Sequence, residues 1–307
     1  VVSEIVKRGL RAWRVAVSIA AWAWFASGGA TAFASPLRVG TFDAARSLIY
    51  VSALGCNCVR VYEGAHFKQV DEISGLDGPT SIATDASGNL WVVNSLANDV
   101  LAFHQGSKKP FETLPAPNGN GIVVGDDGTV YVASYDPATL TVFAPGAITA
   151  TNVYNLKFLV TAYAVTLDAR GNVYMTGLTG PEESRVLELA PRTNEERLLP
   201  GFFAAATGVL IDAAGNRVVS DEDNGATYVL APGRAIPTRV VGTPRAARPA
   251  YSAFNAGRTR LYVGDTLHAE LDVFDYTTGA LLQKIPEFGG YDYDSGIGVA
   301  TSPRAAF

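Results

Sequence analysis

Apolar positions along the chain gather in short runs of four or five residues. Each run is apolar on both alternating faces, follows a polar turn and precedes a polar loop. Six copies align: Leu48-Ile-Tyr-Val-Ser52, Leu90-Trp-Val-Val-Asn94, Val130-Tyr-Val-Ala-Ser134, Val173-Tyr-Met-Thr-Gly177, Arg217-Val-Val-Ser-Asp221 and Leu261-Tyr-Val-Gly-Asp265. They recur about every 40–44 residues, the period of propeller blades. A short run apolar on both faces predicts a strand buried on both sides, as in a blade packed between two neighbours. The preceding turns, among them Asp85-Ala-Ser-Gly-Asn89, Asp126-Asp-Gly128, Asp168-Ala-Arg-Gly-Asn172 and Asp212-Ala-Ala-Gly-Asn216, offer Gly or Asn for the positive φ of a tight hairpin. Neighbouring strands are therefore antiparallel.

A third strand follows each polar loop, as in Val59-Arg-Val-Tyr62, Val100-Leu-Ala-Phe103, Leu140-Thr-Val-Phe143 and Leu271-Asp-Val-Phe274, and a weaker fourth strand lies beyond the next turn. First strands read as Ser81-Ile-Ala-Thr84, Gly121-Ile-Val-Val124, Ala164-Val-Thr-Leu167, Gly208-Val-Leu-Ile211 and Ser252-Ala-Phe254. Gly296-Ile-Gly-Val299 is a further copy with no second strand after it. It predicts a C-terminal segment returning as the innermost strand of the first blade, with residues 38–42 as the alternative. The pattern predicts an all-β fold: a six-bladed β-propeller of four-stranded antiparallel blades, its ring closed by the terminal strands so that no inner sheet edge is left open. Residues 35–307 read as a single domain.

Residues 1–34 lie outside this pattern. Lys7, Arg8, Arg11 and Arg14 precede an apolar run from Val15 to Ala26, and Ala32-Phe33-Ala34 offers a small-x-small cleavage site before Ser35. This is the layout of a secretory signal peptide, with an apolar run short of the roughly 20 residues that span a bilayer. The expected product is secreted or periplasmic, monomeric and without membrane attachment after cleavage. The whole chain has 24 basic and 29 acidic side chains; removing residues 1–34 leaves 20 against 28, a net charge of −8. Such a surface disfavours nucleic acid, which requires a basic footprint.

Cys56 and Cys58 are the only cysteines. In an exported chain they form a local disulfide, which needs a bulge or turn between them, or stay free; a copper or zinc site would lack nearby His or Met. His66 and His104 follow third strands, at the opposite end of the ring from His268, so the three cannot converge on one ion. His268 pairs with Asp265 as acid and base or stands as a solvated loop residue.

In an antiparallel blade the loops joining strands two to three, and strand four to the next strand one, emerge at the same end, which makes that end the place for a ligand. The alignment puts Thr80, Asn120, Tyr163, Thr207, Tyr251 and Ser295 at the starts of innermost strands, and Ser52, Asn94, Ser134, Gly177, Asp221 and Asp265 at the ends of second strands. From these rings, Asn94, Asn120, Tyr163, Asp221, Tyr251 and Asp265 are the candidate ligand-binding residues. Tyr135, Tyr291 and Tyr293 fall in or beside loops of the same end and suit either an aromatic rim or packing between blades. The acidic string Asp221-Glu-Asp-Asn224, with Asp265, Asp292 and Asp294, holds calcium or a cationic ligand, or else bonds to its own loop backbone as Asx turns do.

With six copies carrying strings such as Gly-Asn-Leu-Trp-Val and Asn-x-Val-x-x-Phe, the chain resembles the NHL-repeat and gluconolactonase-like group of six-bladed β-propellers; streptogramin lyase-like propellers, with seven blades, are the structural alternative. The resemblance implies either a binding module or an enzyme holding a divalent cation over the channel with carboxylate and amide oxygens. Of the motifs that open innermost strands in gluconolactonase-like enzymes, only Asn120-Gly121 is present, and Thr207-Gly208 stands where an acid is expected. No Gly-x-Ser-x-Gly nucleophile elbow occurs. The leading expectation is thus a binding or scaffold module taking a protein, peptide or small-molecule ligand at the channel mouth, with no catalytic residue assigned. The alternative is a calcium-dependent lactonase or hydrolase with Asn120, Asp221 and Asp265 on the metal and Asp221 or Asp265 as base.

Overall fold

The described residues form six four-stranded antiparallel sheets, and each takes its strands in the order the repeat predicts. The structure is a computed structural model and describes residues 47–181, 183–245, 247–286, 298–304 and 307. The leader 1–34, the alternative closing segment 38–42, and Tyr291, Asp292, Tyr293, Asp294 and Ser295 lie outside the described residues.

The innermost strands of the second to sixth blades are Pro79–Thr84, Gly119–Val124, Thr161–Leu167, Ala206–Ile211 and Pro249–Phe254. The first blade takes its innermost strand from the far end of the chain: Val299–Ser302 pairs antiparallel with Leu48–Ala53, Val51 opposite Val299 and Leu48 opposite Ser302. The C-terminal segment therefore fills that edge, which the sequence left open between two candidates.

Strands apolar on both faces are explained by where the core lies. Six apolar clusters fill the gaps between adjacent blades. Trp91, Val93 and Val100 of the second blade pack with Ile122, Val130 and Val132 of the third. Ile49, Val51 and Tyr62 of the first meet Tyr262, Leu271 and Val273 of the sixth and complete the circle. Burying such side chains fully stabilises by roughly 1.5–3 kcal/mol each, so every blade depends on both neighbours.

The Asp-Gly-Asn turns lie at one end of the ring. Asp85 Oδ1 accepts from the backbone N–H of Ser87 and Asn89, both at 2.9 Å, and Oδ2 accepts from Asn89 Nδ2 at 2.8 Å and Trp91 Nε1 at 3.3 Å. Asp168 and Asp212 repeat the arrangement. At the other end, the mouth, Leu54–Cys56 forms a 3-10 turn and Asn57 takes φ +50°. That turn brings the Cys56 and Cys58 Cα atoms to 5.2 Å in a disulfide. No helix among the described residues is long and apolar enough to cross a membrane.

Candidate functional site

Each innermost strand from the second blade to the sixth enters the mouth through a β-bulge, two residues facing one on the second strand. The bulged pairs are Thr80 and Ser81, Asn120 and Gly121, Tyr163 and Ala164, Thr207 and Gly208, and Ala250 and Tyr251. A bulge bends the strand and re-aims its side chains. The hairpin after the innermost strand is one residue longer in the sixth blade, Phe254 facing Leu261 where Thr84 faces Leu90, so Ala250, not Tyr251, occupies the position of Thr80 and Asn120, and Tyr251 stands one residue further along the strand.

That shift has a large effect. The Tyr251 hydroxyl crosses from the sixth blade to the third, directly opposite in a ring of six, and donates to the backbone carbonyl of Asn120 at 3.2 Å and to its Oδ1 at 3.1 Å. Burial, reinforced by Tyr163 and Glu222, pushes the Tyr251 phenol above its ordinary value, so it remains a donor. The strut spans the mouth. Beneath it a channel cavity of about 120 Å³, walled by Ile82, Val123, Val165, Val209 and Ala300, continues toward Arg258 and Arg304 near the opposite end.

Around the strut the mouth floor is polar and aromatic. The rings of Tyr135 and Tyr163 stand 5.7 Å apart. Glu222 pairs with Arg248 at 3.2 Å and accepts from the Thr266 hydroxyl at 3.3 Å; its charge adds to the burial that raises the Tyr163 phenol. Sequence reasoning singled out the string containing Glu222 but favoured its neighbour Asp221. Asp221 is engaged by its own loops, accepting from the N–H groups of Ala204 at 3.1 Å and Ala205 at 2.9 Å and from Asn224 Nδ2 at 2.7 Å. Asp265 likewise accepts from the N–H groups of Arg248 and Leu267 at 2.9 Å and contacts His268 Nδ1 at 2.6 Å. Asn94 accepts from Asp77 N and donates to Asp99 at 3.0 Å. The structure thus joins Asn120 to Tyr251 and sets Tyr163 beside Tyr135, while Asn94, Asp221 and Asp265 each hold a loop in place.

His104 stacks on Phe111 at 4.1 Å and His66 lies 3.9 Å from Glu63, so both serve their own blades, apart from His268. One mouth feature escaped the sequence pattern. Leu96, Phe158, Val160 and Phe202 stand exposed on three mouth loops, one within the second blade, one joining the third to the fourth and one joining the fourth to the fifth, with Val160 at 60% and Phe202 at 71%. The Arg185 guanidinium lies over the Phe202 ring at 4.3 Å. Their only sequence signal is large apolar residues in connecting loops, where the repeat calls for polar ones.

No protein-family model matches the chain, and no curated protein matches it in sequence. Solved structures do match in shape. A chain of a nidogen–laminin complex is 14% identical with a TM-score of 0.67, covering 83% of this chain and 98% of that one. A protein of unknown function from Bacteroides caccae is 14% identical with a TM-score of 0.63, covering 84% and 99%. Hydrazine synthase from Kuenenia stuttgartiensis is 15% identical with a TM-score of 0.58, covering 77% and 82%. These likenesses are of fold, a β-propeller, and do not single out one propeller family.

Proposed function

We propose that the protein is an exported binding module that holds a protein or peptide partner on its channel-mouth face. The observation that carries this reading is that exposed Leu96, Phe158, Val160 and Phe202 lie on loops at the same end of the ring as the polar floor of Tyr163, Asn120, Tyr251, Glu222 and Arg248. Apolar and aromatic anchors beside a satisfied polar floor are the composition of protein-binding surfaces. With the Tyr251–Asn120 strut across the channel, the face offers its loops to a side-chain-bearing segment. The neighbour solved within a nidogen–laminin complex is a propeller-shaped precedent for protein association. Strings such as Gly88-Asn89-Leu90-Trp91-Val92 favour kinship with the NHL-repeat group, and Lys7 to Ala34 favour export. The calcium-dependent lactonase alternative draws no support from the floor, where Glu222 is committed to Arg248 and Thr266.

The test places a photo-crosslinking amino acid at Val160 or Phe202 and, as control, at Ile236, which is exposed at the opposite end of the ring. Adducts with one partner from the mouth positions, with affinity lost in Phe202→Asp and kept in Ile236→Asp, are expected. A partner captured equally from Ile236, or bound undiminished by Phe202→Asp, would overturn the reading.

A further inference from the structure

The mouth-side corner of the sixth blade brings Asp265, Glu270, Asp272 and Lys284 together on paired strands. Asp265, ending the second strand, lies opposite Glu270, which begins the third. Two residues on, and so on the same face, Asp272 lies opposite Lys284 of the outer strand. Like charges set directly opposite across an antiparallel pair destabilise it, so the Asp265–Glu270 pairing breaks a local rule. The repeat provides its own standard of comparison: the register position of Asp272 carries Leu101, Thr141, Leu187 and Tyr228 in the second to fifth blades.

Asp272 is 5% exposed and Asp265 1%. Yet Asp272 Oδ1 accepts no hydrogen bond. Lys284 Nζ stands 3.6 Å from it and is held by Glu270. Three carboxylates thus stand against one ammonium, with the His268 imidazole beside Asp265, in a corner where the carboxylates are largely out of water, a costly arrangement unless a cation joins it. The ligand atoms are also in reach of one another: His268 Nδ1 is 2.6 Å from Asp265 Oδ2 and 3.8 Å from Glu270 Oε1, and the ligand-type atoms of all three residues lie within 4.8 Å. An inter-blade cavity of about 280 Å³, lined by Thr227, Val263, Asp265, Asp272 and Lys284, leads to the corner, and the His268 side chain is 45% exposed.

We propose that this corner binds a first-row divalent metal ion, zinc before the others, through Asp265 Oδ2, His268 Nδ1 and Glu270 Oε1. Asp272 supplies the remaining negative charge, and Lys284 is the resident cation that the metal displaces. An imidazole among carboxylates suits zinc better than calcium or magnesium, which take oxygen ligands. The proton of a ligating His268 sits on Nε2. The loop so bound includes Thr266, which reaches Glu222 on the mouth floor.

The experiment is calorimetric titration of the chelator-treated protein with zinc chloride, then with calcium and magnesium. Variants His268→Ala, Asp272→Asn and Lys284→Met are compared, and an anomalous diffraction map from zinc-soaked crystals locates the ion. One saturable equivalent of zinc is expected, about tenfold or more weaker in His268→Ala and in Asp272→Asn, and undiminished or tighter in Lys284→Met. His268 is on an exposed loop, and each variant's thermal melt without metal reports whether it folds. Absence of saturable zinc binding by the wild type, binding unchanged in His268→Ala or weakened in Lys284→Met, or an anomalous peak elsewhere would overturn the proposal.

Discussion

The hydroxyl of Tyr251 lies 3.1 Å from Oδ1 of Asn120, 131 residues earlier in the chain and on the opposite side of the ring. Because the carbonyl of Asn120 also accepts from the Thr80 hydroxyl at 3.3 Å, three blades meet at one residue. Tyr251→Phe removes the donor and keeps the ring, so it should cost about 1–2 kcal/mol. Urea denaturation of Tyr251→Phe, Asn120→Ala and the double variant checks this. If the two losses add fully, the strut carries no coupling between the two blades.

Gly208 shows how closely the blades approach. A Cβ there would sit 2.5 Å from the carbonyl oxygen of Ala250 in the next blade; Gly121 meets Tyr163 O at 2.4 Å and Gly298 meets Thr80 O at 2.3 Å in the same relation. The obstacle in each case is backbone, so Gly208→Ala should lose about 1–3 kcal/mol. Gly180 has open space around it, and Gly180→Ala should stay within about 0.5 kcal/mol of wild type. Equal melting temperatures for the two variants would contradict the packing.

Burial pushes the Asp212 carboxyl upward, but hydrogen bonds from Asn216, Tyr276 and the backbone N–H of Ala214 outweigh it and hold the group below its ordinary value. Tyr276 belongs to the next blade and reaches Asp212 at 2.8 Å. A depressed carboxylate stabilises the fold above its unfolded value of about 4, and that contribution is lost as pH falls through the still lower folded value. Asp212→Ala should therefore lose ~1 kcal/mol near pH 7, the group being half in water. The gap to wild type should close below about pH 4. Melts recorded from pH 7 to pH 2 test it, and a gap that persists at the lowest pH would show that the charge is not what holds the turn.

The disulfide between Cys56 and Cys58 closes a loop of three residues, and on the chain-entropy account so short a loop contributes only about 1.5 kcal/mol. Reduction should lower the melting temperature by a few degrees and leave the propeller folded, with near-ultraviolet circular dichroism retained. Loss of cooperative melting on reduction would mean that the bond holds more than its own turn.

How much of this was legible in the sequence varies with range. Blades were legible because a strand buried between two sheets must be apolar on both faces, and the Asp-Gly-Asn turns mark the hairpins. The mouth was legible as an end and not as a set of contacts. Tyr251 falls one place out of the aligned ring because the hairpin from Asn255 to Arg260 is one residue longer than its counterparts, and an alignment on the second strand carries that residue back into the first. The Glu222–Arg248 pair joins loops of two blades, and Phe158, Val160 and Phe202 lie between the periodic runs. Asp272 was visible inside Leu271-Asp-Val-Phe274, but only the pairing register shows that it shares a buried face with Asp265 and Glu270.

Ring closure provides the last test. Thr84 of the second blade donates to the carbonyl of Thr301 at 2.6 Å, and the Thr301 hydroxyl donates to the carbonyl of Phe254 in the sixth blade at 2.7 Å, all within the buried core. Beyond it Arg304 holds Asp126 of the third blade at 2.6 Å. The segment Val299–Ser302 is thus paired to Leu48–Ala53 along its length and bonded to the blades on either side. Thr301→Val keeps the shape but leaves the Phe254 carbonyl without this donor, at a cost of about 1–3 kcal/mol. Deleting residues 299–307 exposes the inner edge of the first blade and the apolar gaps on both sides, so cooperative unfolding should disappear and the chain should aggregate. Adding a peptide of residues 298–307 to the truncated chain should restore a single melting transition in proportion to peptide concentration. A truncated chain that melts cooperatively at the wild-type temperature would show that the ring is closed by some other segment.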